Sequence, residues 1–261
     1  MITASVPIII FIFGVVIGSF LNVVVLRLNT GLGIQGRSMC MSCGKSLTWR
    51  ELIPILSFIF QLGKCRNCKS KISWQYPLVE LATGLLFVLI YLKFPPISNV
   101  ALMMIVIYLI ITCLLIVITV YDIKHKIIPD PLVYIFDALA LATVFLGGPT
   151  FIHSPHIWTI LAGPILAAPF TLLWLVSKGK WIGFGDAKLV LGLGWLLGLH
   201  AGINAVVISF WIGAAVAVIW MLVTYGRFKR GLEIPFGPFL ILATYLVLLF
   251  GLNVIDLRFA I

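Results

Sequence analysis

Charged residues are scarce in this sequence. Asp, Glu, Lys and Arg make up 10% of the 261 residues, whereas a soluble domain carries about 25%. Hydrophobic residues make up 62%, and the mean hydropathy is +1.20. So few charges cannot coat a surface that faces water, so lipid must cover much of the protein. The composition therefore excludes an ordinary soluble globular domain.

Long apolar segments are frequent. We predict an all-α polytopic membrane protein with about eight transmembrane helices. The second, fourth and sixth segments are short for a hydrocarbon core of about 30 Å. The segments are Ser5 to Leu26, Leu78 to Leu92, Val100 to Tyr121, Leu132 to Leu146, Trp158 to Val176, Lys188 to Leu199, Ile203 to Tyr225, and Phe236 to Leu252.

The first segment is expected to remain as a helix. It lacks the basic n-region and the small-residue cleavage site of a secretory signal peptide. Gly14 and Gly18 are four positions apart, a spacing that favours close packing against another helix.

The distribution of basic residues predicts the orientation. With the amino terminus outside, all but two of the 18 Lys and Arg residues fall on the inner side, the exceptions being Lys93 and Arg258. The positive-inside rule requires this asymmetry, and an even helix count places both termini outside. The net charge of +10 is thus explained by the membrane and requires no nucleic acid partner.

One long polar segment interrupts the apolar ones and contains four cysteines. Cys40 and Cys43 form one C-x-x-C pair, and Cys65 and Cys68 form a second after the 21 residues 44–64. Two such pairs predict a Cys₄ zinc site, which has no open ligand position and is therefore structural. The alternative is two unconnected pairs. We predict three regions: a first helix at 1–27, a cytoplasmic double-CxxC module at 28–76 and a helical bundle at 77–261.

Acidic residues at membrane depth are costly and are therefore functional candidates. Asp186 follows two glycines in Gly183-Phe-Gly185-Asp186; the missing Cβ atoms allow a backbone to approach the carboxyl group. The alternative for Asp186 is a helix N-cap. Asp122 lies at the end of the third segment. The alternative interpretation of Asp122 is an aspartate at the membrane interface that pairs with a nearby lysine.

Two further acids are assigned structural parts. Asp130 precedes Pro131, and Asp at the N-cap with Pro next to it is typical of a helix start. Asp137, seven residues later on the same face, is predicted to make a polar contact inside the bundle. Asp122 and Asp186 remain as the candidate catalytic pair, because two close carboxyl groups do not ionise together and so supply an acid and a base.

These motifs together resemble the prepilin peptidases, or type IV leader peptidases, of the GxGD class of membrane proteases. The similarity extends over nearly the whole chain. It is carried by Gly18-Ser-Phe-Leu-Asn22-Val with Arg27, the double C-x-x-C with Pro54-Ile-Leu-Ser57 between its halves, Ile72-Ser73, Tyr76-Pro77-Leu-Val-Glu80-Leu, Asp122 with Ile128-Pro129-Asp130, and Gly183-Phe-Gly185-Asp186-Ala-Lys188.

The resemblance implies a bifunctional enzyme of the bacterial inner membrane. Such an enzyme cleaves a short basic leader after glycine from prepilins and pseudopilins, and then methylates the new amino terminus with S-adenosylmethionine. The sequence has no glycine-rich nucleotide loop, so methylation rests on the resemblance alone. Asn22 and Glu80, polar residues near the module, are candidates for contacts with the methyl donor.

Two other functions compete with the enzyme. Acids in broken, glycine-rich helices are also typical of proton-coupled transporters, but here the candidate acids lie at helix ends and no inverted repeat is evident. The third hypothesis is a non-enzymatic, zinc-bearing scaffold of a secretion system. It leaves the glycines around Asp186 unexplained.

Overall fold

A computed structural model describes residues 5–30, 36–147, 157–223 and 234–255. Within them the chain is almost entirely helical, with two isolated β-bridges and no strand. The all-α prediction is confirmed. The helices are α1 (Ser5–Arg27), α2 (Leu56–Phe60), α3 (Gln75–Lys93), α4 (Asn99–His125), α5 (Asp130–Phe145), α6 (Ile157–Ser177), α7 (Phe184–Leu197), α8 (Leu199–Val223) and α9 (Gly237–Phe250).

Each of the eight predicted segments contains a helix. Among the described residues, α1, α3, α4, α6 and α8 are long and apolar enough to cross a membrane. α3 begins at Gln75, ahead of its apolar run, and reaches 19 residues. α5, α7 and α9 have 16, 14 and 14 residues, and 14 residues span only about 21 Å. Arg258 and the last part of the seventh predicted segment lie outside the described residues.

The first of two compact units comprises the described residues of Met1–Pro96 with Tyr108–Val117. In it α1 and α3 pack closely through glycine. A Cβ atom on Gly14 would lie 2.8 Å from Gly84 Cα, and one on Gly18 would lie 2.8 Å from Glu80 Cα. Such contacts require glycine on both turns of α1, so the predicted close-packing face is confirmed. Gly14 faces Gly84 and Gly18 faces Glu80, so residue numbers rise along α1 where they fall along α3. The two helices are therefore antiparallel.

The second unit comprises Ile97–Ile107 and the described residues of Ile118–Ile261. Its central helix is α7, which packs against α5 and α6. At the α6 contact, Gly194 would place a Cβ atom 2.7 Å from Gly163 Cα. Pro164 cannot donate to the Ile160 carbonyl, and Trp195 Nε1 donates to that oxygen at 2.8 Å instead. α7 is thereby fixed between two helices.

Candidate active site and metal centre

Asp122 lies in the last turn of α4. The helix ends because Lys126 adopts a left-handed conformation and donates its N–H to Asp122 O at 2.7 Å. The residue is 4% exposed, and Oδ2 has no hydrogen-bond partner among the described residues. A Cβ atom on Gly237, the first residue of α9, would lie 2.7 Å from this oxygen. The carboxyl group is thus buried and held against a bare stretch of backbone.

Asp186 lies in the first turn of α7 and is also buried. The N-cap of α7 is Gly183, which has extended backbone angles, so Asp186 is the third residue of the helix. The N-cap alternative for Asp186 is therefore wrong. Its carboxyl group instead faces the backbone N–H of Gly183 from the first turn.

Ile128 connects the surroundings of the two acids. A Cβ atom on Gly185, the residue before Asp186, would lie 2.9 Å from Ile128 Cβ. A Cβ atom on Gly237, next to Asp122, would lie 3.3 Å from Ile128 Cδ1. Asp122 also interacts electrostatically with Asp186. α4, α7 and α9 thus bring the two predicted carboxyl groups to one place around a buried isoleucine.

Asp130 has a different role from the one that the sequence predicted. α5 begins at Asp130, its N-cap is Pro129, and no side chain caps it. The predicted N-cap role of Asp130 is therefore wrong. Its Oδ1 instead accepts a hydrogen bond from Lys188 Nζ at 2.8 Å, in an ion pair between α5 and α7.

Asp137 lies inside the bundle, as predicted. It is buried, and Oδ1 has no hydrogen-bond partner among the described residues. It contacts α7 at Gly192, where a Cβ atom would clash with this oxygen. Asp137 is therefore separate from Asp122 and Asp186, with its carboxyl group against a different turn of α7.

The four cysteines of the module form one cluster. Their Sγ atoms all lie within 4.8 Å of one another, and Cys40 Sγ lies 3.8 Å from Cys68 Sγ. Zn–S bonds of about 2.3 Å in a tetrahedron separate neighbouring sulfurs by about 3.8 Å. All four are free thiols. The donor set and its spacing therefore fit a tetrahedral Cys₄ metal site, in agreement with the prediction. Cys113 is half-buried and outside this cluster.

Two similar turns build the cluster. Cys40 N donates to Lys45 O and Cys65 N donates to Ser70 O, both at 2.9 Å. Backbone N–H groups, chiefly that of Ser42, lower the pKa of the Cys40 thiol to about 6. Backbone donors aimed at sulfur favour the thiolate, which is the form that binds metal.

The two candidates for the methyl donor, Asn22 and Glu80, are buried and have protein partners. Asn22 Nδ2 donates to Tyr76 O at 3.2 Å, and its Oδ1 accepts from Gln75 Nε2 at 3.1 Å. Glu80 Oε2 accepts from Ile55 N at 2.7 Å. These contacts connect α1 with the start of α3, and α3 with the loop between the two cysteine pairs.

The conformation of Ile55 was not anticipated. Its φ of 60° is unusual for a β-branched residue and costs energy. The Glu80 carboxylate holds this turn, and the preceding Pro54 was the only indication of a turn there. Gly237 was also missed, although Gly237 and Pro238 at the start of an apolar run favour a helix start there.

Two family models match the chain. The Bacterial Peptidase A24 N-terminal domain matches residues 12–94, which include the four cysteines. The Type IV leader peptidase family matches residues 109–218, which include Asp122 and Asp186. Each match covers one of the two regions in which candidate chemistry was found.

Curated relatives extend over almost the whole chain. The Prepilin leader peptidase/N-methyltransferase of Bacillus subtilis (strain 168) is 34% identical over 252 residues, 95% of this chain and 96% of the relative. A protein of the same name from Aeromonas hydrophila is 30% identical, over 93% of this chain and 90% of its own length. One from Pseudomonas aeruginosa is 30% identical, over 91% and 88%. No solved structure matches. With this identity along its length, the chain belongs to the type IV leader peptidase family.

Proposed function

We propose that this protein cleaves the basic leader from prepilins and pseudopilins, with Asp122 and Asp186 as its catalytic pair, and then methylates the new amino terminus. Membership of the family supports both activities. The observation that carries the catalytic assignment is the convergence of two buried carboxyl groups around Ile128. No metal is needed at this pair for peptide hydrolysis.

The pair supplies both an acid and a base. The two carboxyl groups share one proton across a water molecule, because two close negative charges in a buried site are unfavourable. The ionised member takes a proton from the water as it attacks the peptide carbonyl, and the protonated member donates to the carbonyl oxygen. The proton belongs to the pair rather than to either residue.

The surroundings of Asp186 suit the apolar helix of a substrate. Gly185 and Gly237 let Ile128 and Asp122 pack closely against the backbone beside the acids. An apolar groove of about 450 Å³ lies between α6 and α7, and its lining includes Phe184, Ala187 and Lys188, which flank Asp186. A substrate helix that enters sideways from the bilayer can lie in this groove with its cleavage site near Asp186.

Membrane placement is part of the proposal. The apolar helices and the family indicate a multi-pass inner-membrane protein. The excess of Lys and Arg in alternate loops supports a cytoplasmic location for the cysteine module and both acids, with the two termini outside. This sidedness places the acids where newly made prepilins carry their leaders.

The cofactors are proposed to be zinc and S-adenosylmethionine. Cys40, Cys43, Cys65 and Cys68 would hold zinc in a structural role, which leaves no ligand position for water. We propose that the methyl donor binds near Asn22 and Glu80. Because both side chains already have protein partners, their part would be to fix the base of the module rather than to bind the donor directly.

The experiment is cleavage of a purified prepilin by the purified protein in detergent. The expected result is a shortened product, which gains the mass of one methyl group when S-adenosylmethionine is present. A variant with both Asp122→Asn and Asp186→Asn should give no shortened product. A transporter or a scaffold would give none with the unchanged protein either, so lack of cleavage by well-folded protein with an accepted prepilin would contradict the proposal.

A further inference from the structure

Lys188 lies in an unusual position for a lysine. It is in the second turn of the apolar helix α7, two residues after Asp186, and its side chain is only 14% exposed. Lysine is almost never buried unless it is paired. Its position therefore requires specific contacts that hold the ammonium group.

Three contacts from two helices surround the ammonium group. Asp130 Oδ1 lies 2.8 Å from Nζ. The ring centroids of Tyr134 and Phe184 lie 5.0 Å and 4.9 Å from Nζ, within the range of cation–π attraction. Asp130 and Tyr134 are one turn apart on α5 and thus share a face, whereas Phe184 is the first residue of α7.

These contacts join the beginnings of α5 and α7. Asp130 is the first residue of α5, and Asp186 lies in the first turn of α7. Ile128, just before α5, contacts Gly185. A bond between Lys188 and Asp130 therefore fixes the height and rotation of the turn that carries Asp186. Neither Lys188 nor Asp130 takes part in the proton transfers proposed for the two acids.

We propose that Lys188, through its ion pair with Asp130, is a positioning residue that holds Asp186 in register with Asp122. This inference rests on the proposed function of the two acids. It makes a specific kinetic claim: loss of the pair lowers kcat, because the reacting carboxyl group is displaced. KM changes less than kcat, because Lys188 borders the groove and a methionine of similar length keeps that wall while the ion pair is lost.

The test compares Lys188→Met, which keeps the length of the side chain without its charge, with Lys188→Arg and with the exchanged pair Asp130→Lys/Lys188→Glu. The matched control is Lys180→Met, at an exposed lysine in the loop before α7. Lys188→Met should lower kcat about 10- to 100-fold, since a displacement of about 1 Å costs about 100-fold, with KM within about twofold. Lys188→Arg and the exchanged pair should recover much of kcat relative to Lys188→Met and to Lys188→Glu alone.

Other outcomes separate this inference from the proposed function. If unchanged protein and Lys180→Met do not cleave, the proposed function fails. If they cleave and folded Lys188→Met keeps their kcat, the positioning role is overturned. A variant in which only KM rises overturns it as well. Lack of recovery in the exchanged pair also overturns it. Should Lys188→Met not fold, Asp130→Ala and Tyr134→Leu remove the same contacts from α5, and unchanged kcat in both would equally contradict the inference.

Discussion

Replacement of Gly237 by alanine tests the geometry around Asp122 directly. The new Cβ atom would lie 2.7 Å from Asp122 Oδ2, well inside the normal contact distance, and the carboxyl oxygen would have to move by roughly 0.5–0.7 Å. Since about 1 Å of misplacement costs about 100-fold in rate, we expect kcat to fall about tenfold. KM should change little, because the peptide-binding surfaces remain.

Folding should survive the same change. Gly237 is the first residue of α9, and its φ does not lie in the left-handed region. Replacement of glycine by alanine at a compatible φ stabilises by about 0.4–1 kcal/mol through the unfolded chain, whereas displacement of Asp122 from its rotamer costs about 0.5–1.5 kcal/mol. The two effects nearly cancel, so the thermal midpoint should stay close to that of the unchanged protein.

The measurement is the steady-state kcat and KM of prepilin cleavage in detergent, with thermal unfolding followed by helical circular dichroism. Gly213→Ala in α8 is the matched control, because its Cβ atom would lie 3.3 Å from the Phe239 side chain and far less displacement is required. If Gly237→Ala retained kcat within about twofold of this control, the assignment of Asp122 to the reacting centre would be wrong.

Four further outcomes are expected. Asp122→Asn and Asp186→Asn should each abolish cleavage in a prepilin assay while the protein still inserts, because an amide cannot share the proton; near-normal cleavage by either would exclude that residue. Asp130→Asn should be milder, since its amide oxygen still accepts from Lys188, and complete loss in folded protein would contradict this. Elemental analysis should find about one zinc per chain, absent in Cys40→Ser. Cys40→Ser/Cys43→Ser should raise KM more than it lowers kcat, and a fall in kcat alone would place the module in the catalytic step.

Much of the fold follows from composition. Lipid requires every backbone group to bond within its own segment, so each long apolar run had to become a helix, and all eight did. The ends of the helices were harder to predict. α3 begins at the polar residues Gln75 and Tyr76, and polar residues do not raise the hydropathy from which the segment was predicted. Its stabilising contacts come from Asn22, distant in sequence.

The assignment of Asp130 shows why local patterns fail near a functional site. Asp followed by Pro predicts a cap, but Pro129 holds an extended conformation and serves as the N-cap itself, its carbonyl accepting from Leu132 N at 3.1 Å. The Asp130 side chain is then free for Lys188, a tertiary partner that the flanking residues do not reveal.

The candidate acids themselves could be predicted, because a buried carboxyl group in a membrane costs free energy and is therefore a functional candidate. The residues that surround the two acids could not be predicted. Both lie in end turns of helices, where the backbone is not fully occupied by helical hydrogen bonds. Gly185 and Gly237 remove side chains on two sides of the pair, and Gly237 comes from a helix far along the chain. The two carboxyl groups thus supply the proposed chemistry, and the two glycines allow the close packing around Ile128 that brings them together. Alanine at Gly237 therefore displaces a carboxyl oxygen directly, whereas alanine at Gly185 must first displace the buried Ile128.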